Sequence, residues 1–289
     1  MDARRGKNPA GVSFAMPAAN TMSDGPKVDT HAHAYTRDMP LAPGAWHRPP
    51  HDAPIENYIK ELDAHGITHA VLAGASIYGD YNDYQIDCQR KHPRLRGTVI
   101  ISNPLIDRYI LEMMKKDGVV GVRFQRRNAA NPPDLSSPEY KLLLRRIADL
   151  GWHAHLLEND GESIIKPLAD LEASGVRLVI DHFGRPDHKK GINCEGFKAV
   201  LRAVERGNTW VKLSAGYRQA SPEAARDLAR ELLKTAGPER LFWGSDWPFA
   251  AFEDKVTYAD TVQNFLDWIP DAVARRKIGG ETAFKFYFS

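Results

Sequence analysis

The sequence predicts an α/β fold, a single-domain (β/α)8 TIM barrel, from two patterns in its 289 residues. Short runs rich in Val, Ile and Leu alternate eight times with amphipathic, helix-like segments. Apolar strands separated by helices indicate parallel strands that are covered on both faces. Eight such units fill the ~250 residues typical of this barrel. An open doubly wound sheet is the alternative, but no G-x-G-x-x-G motif follows any strand candidate.

The strand candidates define one barrel domain over residues 27–289. They lie at 27–33, 68–76, 95–102, 119–125, 152–158, 176–183, 209–215 and 240–247. Several of the helix-like segments between them end on a glycine in the position of a C-cap. Residues 1–26 contain Arg4 and Arg5, but the apolar "VSFAM" is too short for a secretory signal. We expect this segment to be a mobile N-terminal arm.

Composition excludes several classes of partner. A formal net charge of +2 predicts no nucleic-acid partner, because such proteins carry strongly basic surfaces. No apolar run approaches the ~20 residues that span a bilayer, so no membrane partner is expected. Cys88 and Cys194 are far apart and form no C-x-x-C motif, which fits a reducing compartment. The sequence therefore predicts a cytoplasmic protein.

Polar residues fall near the carboxyl ends of the predicted strands, where the active sites of such barrels lie. They are His31 and His33 on the first strand, Ser76 on the second, Arg123 on the fourth, His155 on the fifth, His182 on the sixth, Lys212 and Ser214 on the seventh and Asp246 on the eighth. Burying polar groups costs free energy. Their convergence at one rim therefore predicts a functional site.

The pair of histidines in "DTHAH" gains its meaning from the last strand. Residues two apart in a strand face the same side, so His31 and His33 should point together into the barrel mouth. Strand eight lies beside strand one once a barrel closes, and Gly244 would permit close packing there. Any one histidine alone is more often a core residue. Together with His182 and Asp246, the pair predicts a catalytic centre.

Three motifs, "DTHAH", "VIDHFGRPD" and "WGSDWP", resemble those of the amidohydrolase superfamily. More narrowly, they resemble its lactonase branch, which includes the 2-pyrone-4,6-dicarboxylate lactonases. The resemblance runs from about residue 27 to the C-terminus. It implies hydrolysis of a cyclic ester by water, with Asp246 as the general base. His31, His33 and His182 would polarise the carbonyl group.

The resemblance also bears on the cofactor. Two-metal members of the superfamily bridge their ions with a lysine or glutamate on the fourth strand, where this chain has Arg123 and Gln125. We therefore expect no binuclear centre. The pyrone-dicarboxylate type works without metal, so no cofactor is expected to be required. The alternative is one divalent ion, such as zinc or manganese, on His31, His33 and Asp246 with His155 or His182.

Basic residues predict an acidic substrate, because a guanidinium forms two-pronged bonds to carboxylates. Arg123 matches the carboxylate-binding arginine of the family, and a salt bridge between barrel layers is its alternative role. The predicted substrate-binding set is Arg123, Ser76, Arg185, Arg218, Lys212 and His155. The second arginine of the family falls in "NAAN", with Arg126 and Arg127 nearby, and its strand-five aromatic hydroxyl is Leu157 here. The expected partner is a small acidic lactone.

Other interpretations remain open. A metal-dependent decarboxylase or hydratase uses the same barrel, and a non-catalytic acid-binding protein could do so too. The acid Asp246 beside two histidines argues against simple binding, which needs no base. The loop after strand one, which carries Trp46, His47 and His51, should fold over the mouth. The C-terminal "TAFKFYFS" should cap the barrel or contact another subunit in a homo-oligomer.

Overall fold

A computed structural model describes residues 25–129 and 131–289. Its core is one eight-stranded parallel sheet whose strands follow one another in sequence order. The strands are β1 Val28–Ala32, β2 His69–Ala73, β3 Leu95–Val99, β4 Val119–Gln125, β5 His153–Leu157, β6 Arg177–Ile180, β7 Thr209–Ser214 and β8 Leu241–Gly244. Each falls within a predicted range, so the predicted (β/α)8 barrel is confirmed.

Ten α-helices surround the sheet in the part of the chain that the structure describes. They are α1 Ile55–Ala64, α2 Asp83–Lys91, α3 Arg108–Lys116, α4 Pro138–Asp149, α5 Ile165–Ala173, α6 Glu195–Glu205, α7 Pro222–Ala236, α8 Tyr258–Trp268, α9 Ala272–Arg276 and α10 Thr282–Tyr287. Five of them, α3, α4, α7, α8 and α9, begin at a residue whose side chain caps the helix. The side chains of Ser137 and Ser221 accept from backbone N–H groups at the starts of α4 and α7, which satisfies otherwise unpaired donors.

The barrel closes between β1 and β8. Asp246 N donates to His31 O at 2.8 Å, and His33 N donates to Trp247 O at 2.8 Å. A Cβ on Gly244 would lie 2.7 Å from the Cβ of His31, so only glycine allows the two strands to approach this closely. The predicted role of Gly244 in close packing is confirmed. This closure brings the two ends of the barrel sequence together.

The buried side chain of Asp29 also holds the β1–β8 interface together. Its carboxylate accepts from Ser245 N at 2.9 Å and Ser245 Oγ at 2.6 Å. It also accepts from the hydroxyls of Tyr58 at 2.8 Å and Tyr258 at 2.9 Å. A buried carboxylate is stable only when its oxygens are satisfied in this way. Asp29 therefore ties β1 to the segment after β8 and to the surrounding helices.

The C-terminal helix closes the opposite end of the barrel. Ala283 and Tyr287 of α10 pack with Val28, Val179 and Phe242 in a buried apolar cluster. The predicted capping role is thus what the structure shows, while the homo-oligomer stays a prediction. The predicted N-terminal arm, residues 1–26, lies almost entirely outside the described residues. Within these residues no helix combines the length and the apolar character needed to cross a membrane.

The close approach at Gly244 predicts a large cost for Gly244→Ala. The added methyl group would force β8 away from His31, and such overpacking destabilises by about 1–3 kcal/mol. Urea unfolding measures the change in free energy. Gly44→Ala is the comparison, because nothing lies within 4 Å of the added atom there and only its left-handed backbone is penalised. Equal losses in the two variants would contradict the close-packing account.

Candidate active site

A carboxylate oxygen and three imidazole nitrogens converge at the carboxyl ends of the strands. Oδ1 of Asp246 lies 3.6 Å from Nε2 of His31, 3.6 Å from Nε2 of His33 and 3.9 Å from Nε2 of His182. The Nε2 atoms of His31 and His33 are 3.3 Å apart. The structure therefore brings together all four residues that the sequence marks as catalytic.

Unusual backbone conformations turn these side chains into the barrel mouth. Non-glycine residues with left-handed φ follow three consecutive strands: His182 (50°) and Arg185 (48°) after β6, Ala215 (54°) after β7 and Asp246 (65°) after β8. Such conformations cost free energy and concentrate at functional sites. Their clustering at this rim supports a functional role independently of the residue types.

The second oxygen of Asp246 is held by the protein. Oδ2 accepts from Tyr217 OH at 2.6 Å and from Arg218 Nε at 3.1 Å. Burial alone raises the pKa of Asp246, but His182, Arg218 and the other facing imidazoles hold that pKa well below its usual range. The carboxylate is therefore ionised, and only Oδ1 faces the centre of the site.

Nδ1 of each of the three imidazoles lies next to a polar group of the protein. His33 Nδ1 lies 2.7 Å from Ala73 O, and His182 Nδ1 lies 2.8 Å from Ser214 Oγ. A carbonyl oxygen can only accept, so Nδ1 of His33 donates, and in a neutral ring its Nε2 carries the lone pair. Burial lowers the pKa of His31 and His182 well below the usual value. The Nε2 atoms of all three rings face Asp246 Oδ1 at the centre of the site.

Beneath the site lies a buried charge cluster of Arg123, His155, Asp181 and Lys212. Asp181 accepts from Arg123 Nε at 3.2 Å and Nη2 at 2.9 Å, and it pairs with His155 Nε2. Lys212 Nζ lies 3.8 Å from Asp181 Oδ1, and burial lowers its pKa to about 7. Burial raises the pKa of Asp181, but the facing His155, His31 and Arg123 keep that pKa well below the usual value.

The residues predicted to bind substrate lie at two depths in the barrel. Ser76, Arg123, Arg185 and Arg218 line the cavity above Asp246. His155 and Lys212 are fully buried and are absent from the cavity wall, because their side chains point into the layer below. Arg123 reaches the cavity, but three of its N–H groups already donate to Asp181 and to Gly74 O.

The cavity encloses about 550 Å³, including the part that is open to solvent. Arg127, Arg185 and Arg218 lie on its wall. Burial lowers the pKa of Arg185, and the neighbouring charges of Arg127 and Arg218 lower it further, although Asp160 opposes them. Nε of Arg185 is buried without a partner among the described residues. The mouth is therefore electropositive and suited to an anion.

The predicted loop over the mouth is present between β1 and α1. Trp46 lines the cavity and donates from Nε1 to Ser76 Oγ at 3.1 Å. The guanidinium of Arg127 lies 5.7 Å from the centre of the Trp46 ring, within the range of a cation–π contact. His47 instead pairs with Glu253 at 2.6 Å. Of the three loop residues singled out by the sequence, Trp46 alone lines the cavity.

The central donor set fits a single divalent cation. The three distances among His31 Nε2, His33 Nε2 and Asp246 Oδ1, 3.3, 3.6 and 3.6 Å, match the spacing of about 3.4 Å between ligands of tetrahedral zinc. These three residues form a group that could hold a metal ion. His182 Nε2 lies 3.9 Å from Asp246 Oδ1 but is not part of this group, and His155 is engaged by Asp181. A second group includes Asp181, but Arg123 already neutralises that carboxylate.

A family model described as Amidohydrolase matches residues 28–288. The chain belongs to the amidohydrolase family. This amidohydrolase is 30% identical to a 4-sulfomuconolactone hydrolase of Hydrogenophaga intermedia, over 86% of this chain and 84% of the relative. It is also 26% identical to a D-galactarolactone isomerase of Agrobacterium fabrum, over 86% and 87% of the two chains.

A solved structure gives the same result. A putative 2-pyrone-4,6-dicarboxylic acid hydrolase of Pseudomonas putida superimposes with a TM-score of 0.83 and 35% identity, over 92% of this chain and 98% of that chain. The resemblance to amidohydrolases of the lactonase branch, which the sequence motifs predicted, is confirmed.

Two residues of this amidohydrolase site, Asp181 and Tyr217, escaped the sequence reasoning, and Arg127 was named only as lying near the position of the family's second arginine. A signal existed for Arg127, since Arg123, Gln125 and Arg127 are spaced two apart and all three line the cavity. Asp181 and Tyr217 precede residues that were selected, in "VIDHF" and "SAGYR". A single acid or hydroxyl at such a position gives no periodic signal, so only the three-dimensional contacts identify them.

The donor set predicts that this amidohydrolase binds one divalent cation per chain. Zinc or manganese added to chelator-treated protein should bind at a 1:1 ratio, and His33→Asn should abolish this binding by removing one ligand. Equilibrium dialysis with elemental analysis measures the ratio. His47→Asn is the matched control, because His47 contacts Glu253 away from the donor set. Undiminished binding in His33→Asn would contradict the assignment.

Proposed function

We propose that this amidohydrolase opens a small lactone that carries carboxylate groups, by attack of water on the ring carbonyl. One observation carries the proposal: an ionised Asp246 oxygen faces three imidazole nitrogens directly below a cavity lined by guanidinium groups. Relatives named as a lactone hydrolase and a lactone isomerase support the same substrate class. The wall of the cavity indicates the chemical class of the lactone.

Asp246 is the general base in this mechanism. Its Oδ2 is occupied by Tyr217 and Arg218, so Oδ1 takes a proton from the attacking water. The new carbon–oxygen bond forms as the carbonyl becomes tetrahedral, and the ring carbon–oxygen bond then breaks. Asp246 returns the proton to the leaving oxygen. The product is an open-chain hydroxy acid, or its keto form where the leaving oxygen is an enolate.

The imidazoles have two alternative roles: they donate hydrogen bonds to the oxyanion, or they hold a divalent cation. Donation to the oxyanion would require Nε2–H groups, and His33 already directs an Nδ1 proton at Ala73 O. A divalent cation held by His31 and His33 beside Asp246 would supply Lewis-acid polarisation of the carbonyl, while Oδ1 of Asp246 takes the proton from water. We therefore propose a mononuclear site, and the metal-free mechanism expected from the sequence is the alternative. His182 faces a hydroxyl at Nδ1 and can donate to the oxyanion in either case.

The cavity wall selects the substrate. Arg127, Arg185 and Arg218 provide positive charge on one side, while Leu157 and the Trp46 ring provide apolar surface. Carboxylates on the lactone would pair with the guanidinium groups, since charged hydrogen bonds are the strongest available to a ligand. A flat or compact ring would lie against Leu157. The proposed substrate is thus a small anionic lactone.

Loss of the base predicts loss of turnover. Asp246→Asn should lower kcat by at least about 10²-fold on a panel of carboxylated lactones, the usual contribution of a general base. Continuous titration at constant pH gives the readout, because each ring opening releases one acid equivalent. An isomerase would consume lactone without releasing acid, and a decarboxylase would release carbon dioxide. Wild-type protein that opens no lactone in an acidic panel would contradict the proposal.

Neighbouring arginines offer a matched test of substrate binding. Arg127→Met should raise KM for a carboxylated lactone by about 10-fold or more, because one charged hydrogen bond contributes about 1.5–3 kcal/mol. Arg126→Met is the control, since Arg126 pairs with Glu158 at 2.7 Å and does not line the cavity. Its KM should be unchanged. Equal effects of the two substitutions would show that Arg127 does not contact substrate.

A further inference from the structure

Asp181 is a fully buried carboxylate that the mechanism above does not use. Arg123 holds its Oδ2 through Nε and Nη2. Its Oδ1 faces His155 Nε2, and it also lies 3.0 Å from Nδ1 of His31. A carboxylate paired with a guanidinium is ionised and can only accept hydrogen bonds. Every group around Asp181 must therefore present a proton to it.

Two neighbours compete for Nδ1 of His31. Asp181 Oδ1 lies 3.0 Å away and can only accept, whereas Lys212 Nζ lies 3.3 Å away and can donate. If Asp181 prevails, Nδ1 carries the proton and Nε2 presents its lone pair to the site. If Lys212 prevails, Nδ1 carries the lone pair and Nε2 carries the proton. The first tautomer is a cation ligand, and the second is an oxyanion donor.

The distances and charges favour Asp181. A lone pair on Nδ1 would face the Asp181 carboxylate oxygen at 3.0 Å, fully shielded from solvent. Two acceptors that face each other without a proton are most costly in such a buried position. On the opposite side of the ring, the close acceptors for an Nε2 proton among the described residues are Nε2 of His33 at 3.3 Å and Asp246 Oδ1 at 3.6 Å. Among the described residues, the bond to the charged oxygen at 3.0 Å is therefore the stronger one.

We propose that Asp181 is a positioning residue: it holds His31 in the Nδ1–H tautomer, with Arg123 as its counter-ion, and so makes Nε2 of His31 a ligand for a divalent cation. The carboxylate–imidazole pair acts through His31 and has no contact with substrate. The inference refines the cation site of the proposed reaction and rests on that proposal for its catalytic meaning. Its test needs no substrate.

Cation affinity is the first readout. Asp181→Asn should weaken zinc binding to the chelator-treated full chain by about 10–100-fold, the usual effect of removing an outer partner of a ligating histidine. Competition against a metal indicator measures the affinity. Glu158→Gln is the matched control, because Glu158 is also a buried carboxylate paired with an arginine, but its partners are Arg126 and Asn159 N rather than His31. Its zinc affinity should remain within about 3-fold of wild type, since outer partners act through the ring.

The double variant Arg123→Met/Asp181→Asn replaces Asp181→Asn in this experiment if the single variant does not fold, because it also removes the guanidinium charge that Asp181→Asn leaves unpaired. It should show the same weakened binding. Wild-type affinity in a folded Asp181 variant would overturn the proposal. So would an equal loss in Glu158→Gln, which would show only a general response to losing a buried carboxylate.

The tautomer is the second readout. Nitrogen-15 correlation spectra of the imidazole rings, recorded on cation-free wild-type protein, should show His31 protonated at Nδ1, with its signals assigned by their loss in His31→Asn. Asp181→Asn should shift this population toward the Nε2–H form. An Nε2–H tautomer in the wild type would overturn the proposal. Because neither readout uses a lactone, protein that opens no lactone but passes both tests would refute the proposed function alone.

Discussion

Closure of the barrel between β1 and β8 is the constraint on which the active site depends. The histidine pair lies near residue 30 and its carboxylate lies near the end of the chain, so no local structure can bring them together. Two backbone hydrogen bonds bracket the seam at His31 and Asp246, and Asp29 secures it with four side-chain and backbone donors from Tyr58, Ser245 and Tyr258. Gly244 supplies the space. Stability and catalytic geometry therefore share one interface.

His31 lies between two buried carboxylates in the barrel interior. One nitrogen lies 3.0 Å from Asp181 in the lower layer, and the other lies 3.6 Å from Asp246 at the cavity floor. Burying two carboxylates is costly unless each is paired and hydrogen-bonded. Arg123 and His155 satisfy the lower one, while Tyr217 and Arg218 satisfy one side of the upper one. The remaining oxygen of Asp246 is left for chemistry.

The sequence predicted the fold and the four central residues because both follow from position along strands. Eight apolar runs define a barrel, and the barrel fixes which ends meet, so His31, His33, His182 and Asp246 converge by topology alone. Depth within the barrel follows from no such rule. Lys212 and His155 share the inward direction of the site residues, yet they lie one layer lower and pair with Asp181.

Contacts between loops escaped the sequence for a similar reason. Arg127 reaches the cavity only because the chain turns after β4, and Tyr217 reaches Asp246 only because a left-handed residue precedes its turn. The identity of the hydrogen-bond partner at each imidazole, which decides between a cation site and an oxyanion donor, is likewise a three-dimensional property. Cytoplasmic location, like the N-terminal arm, stays a prediction from composition.

Hydrolysis of an anionic lactone in water enriched in oxygen-18 tests the central claim most directly. Mass spectrometry of the open-chain product should show one oxygen-18 atom in the newly formed carboxylate, because water supplies the oxygen that attacks the carbonyl. Asp246→Asn should form this labelled product at least about 10²-fold more slowly than wild type. Product that forms at the wild-type rate without label would show that water is not the nucleophile, and it would contradict the account.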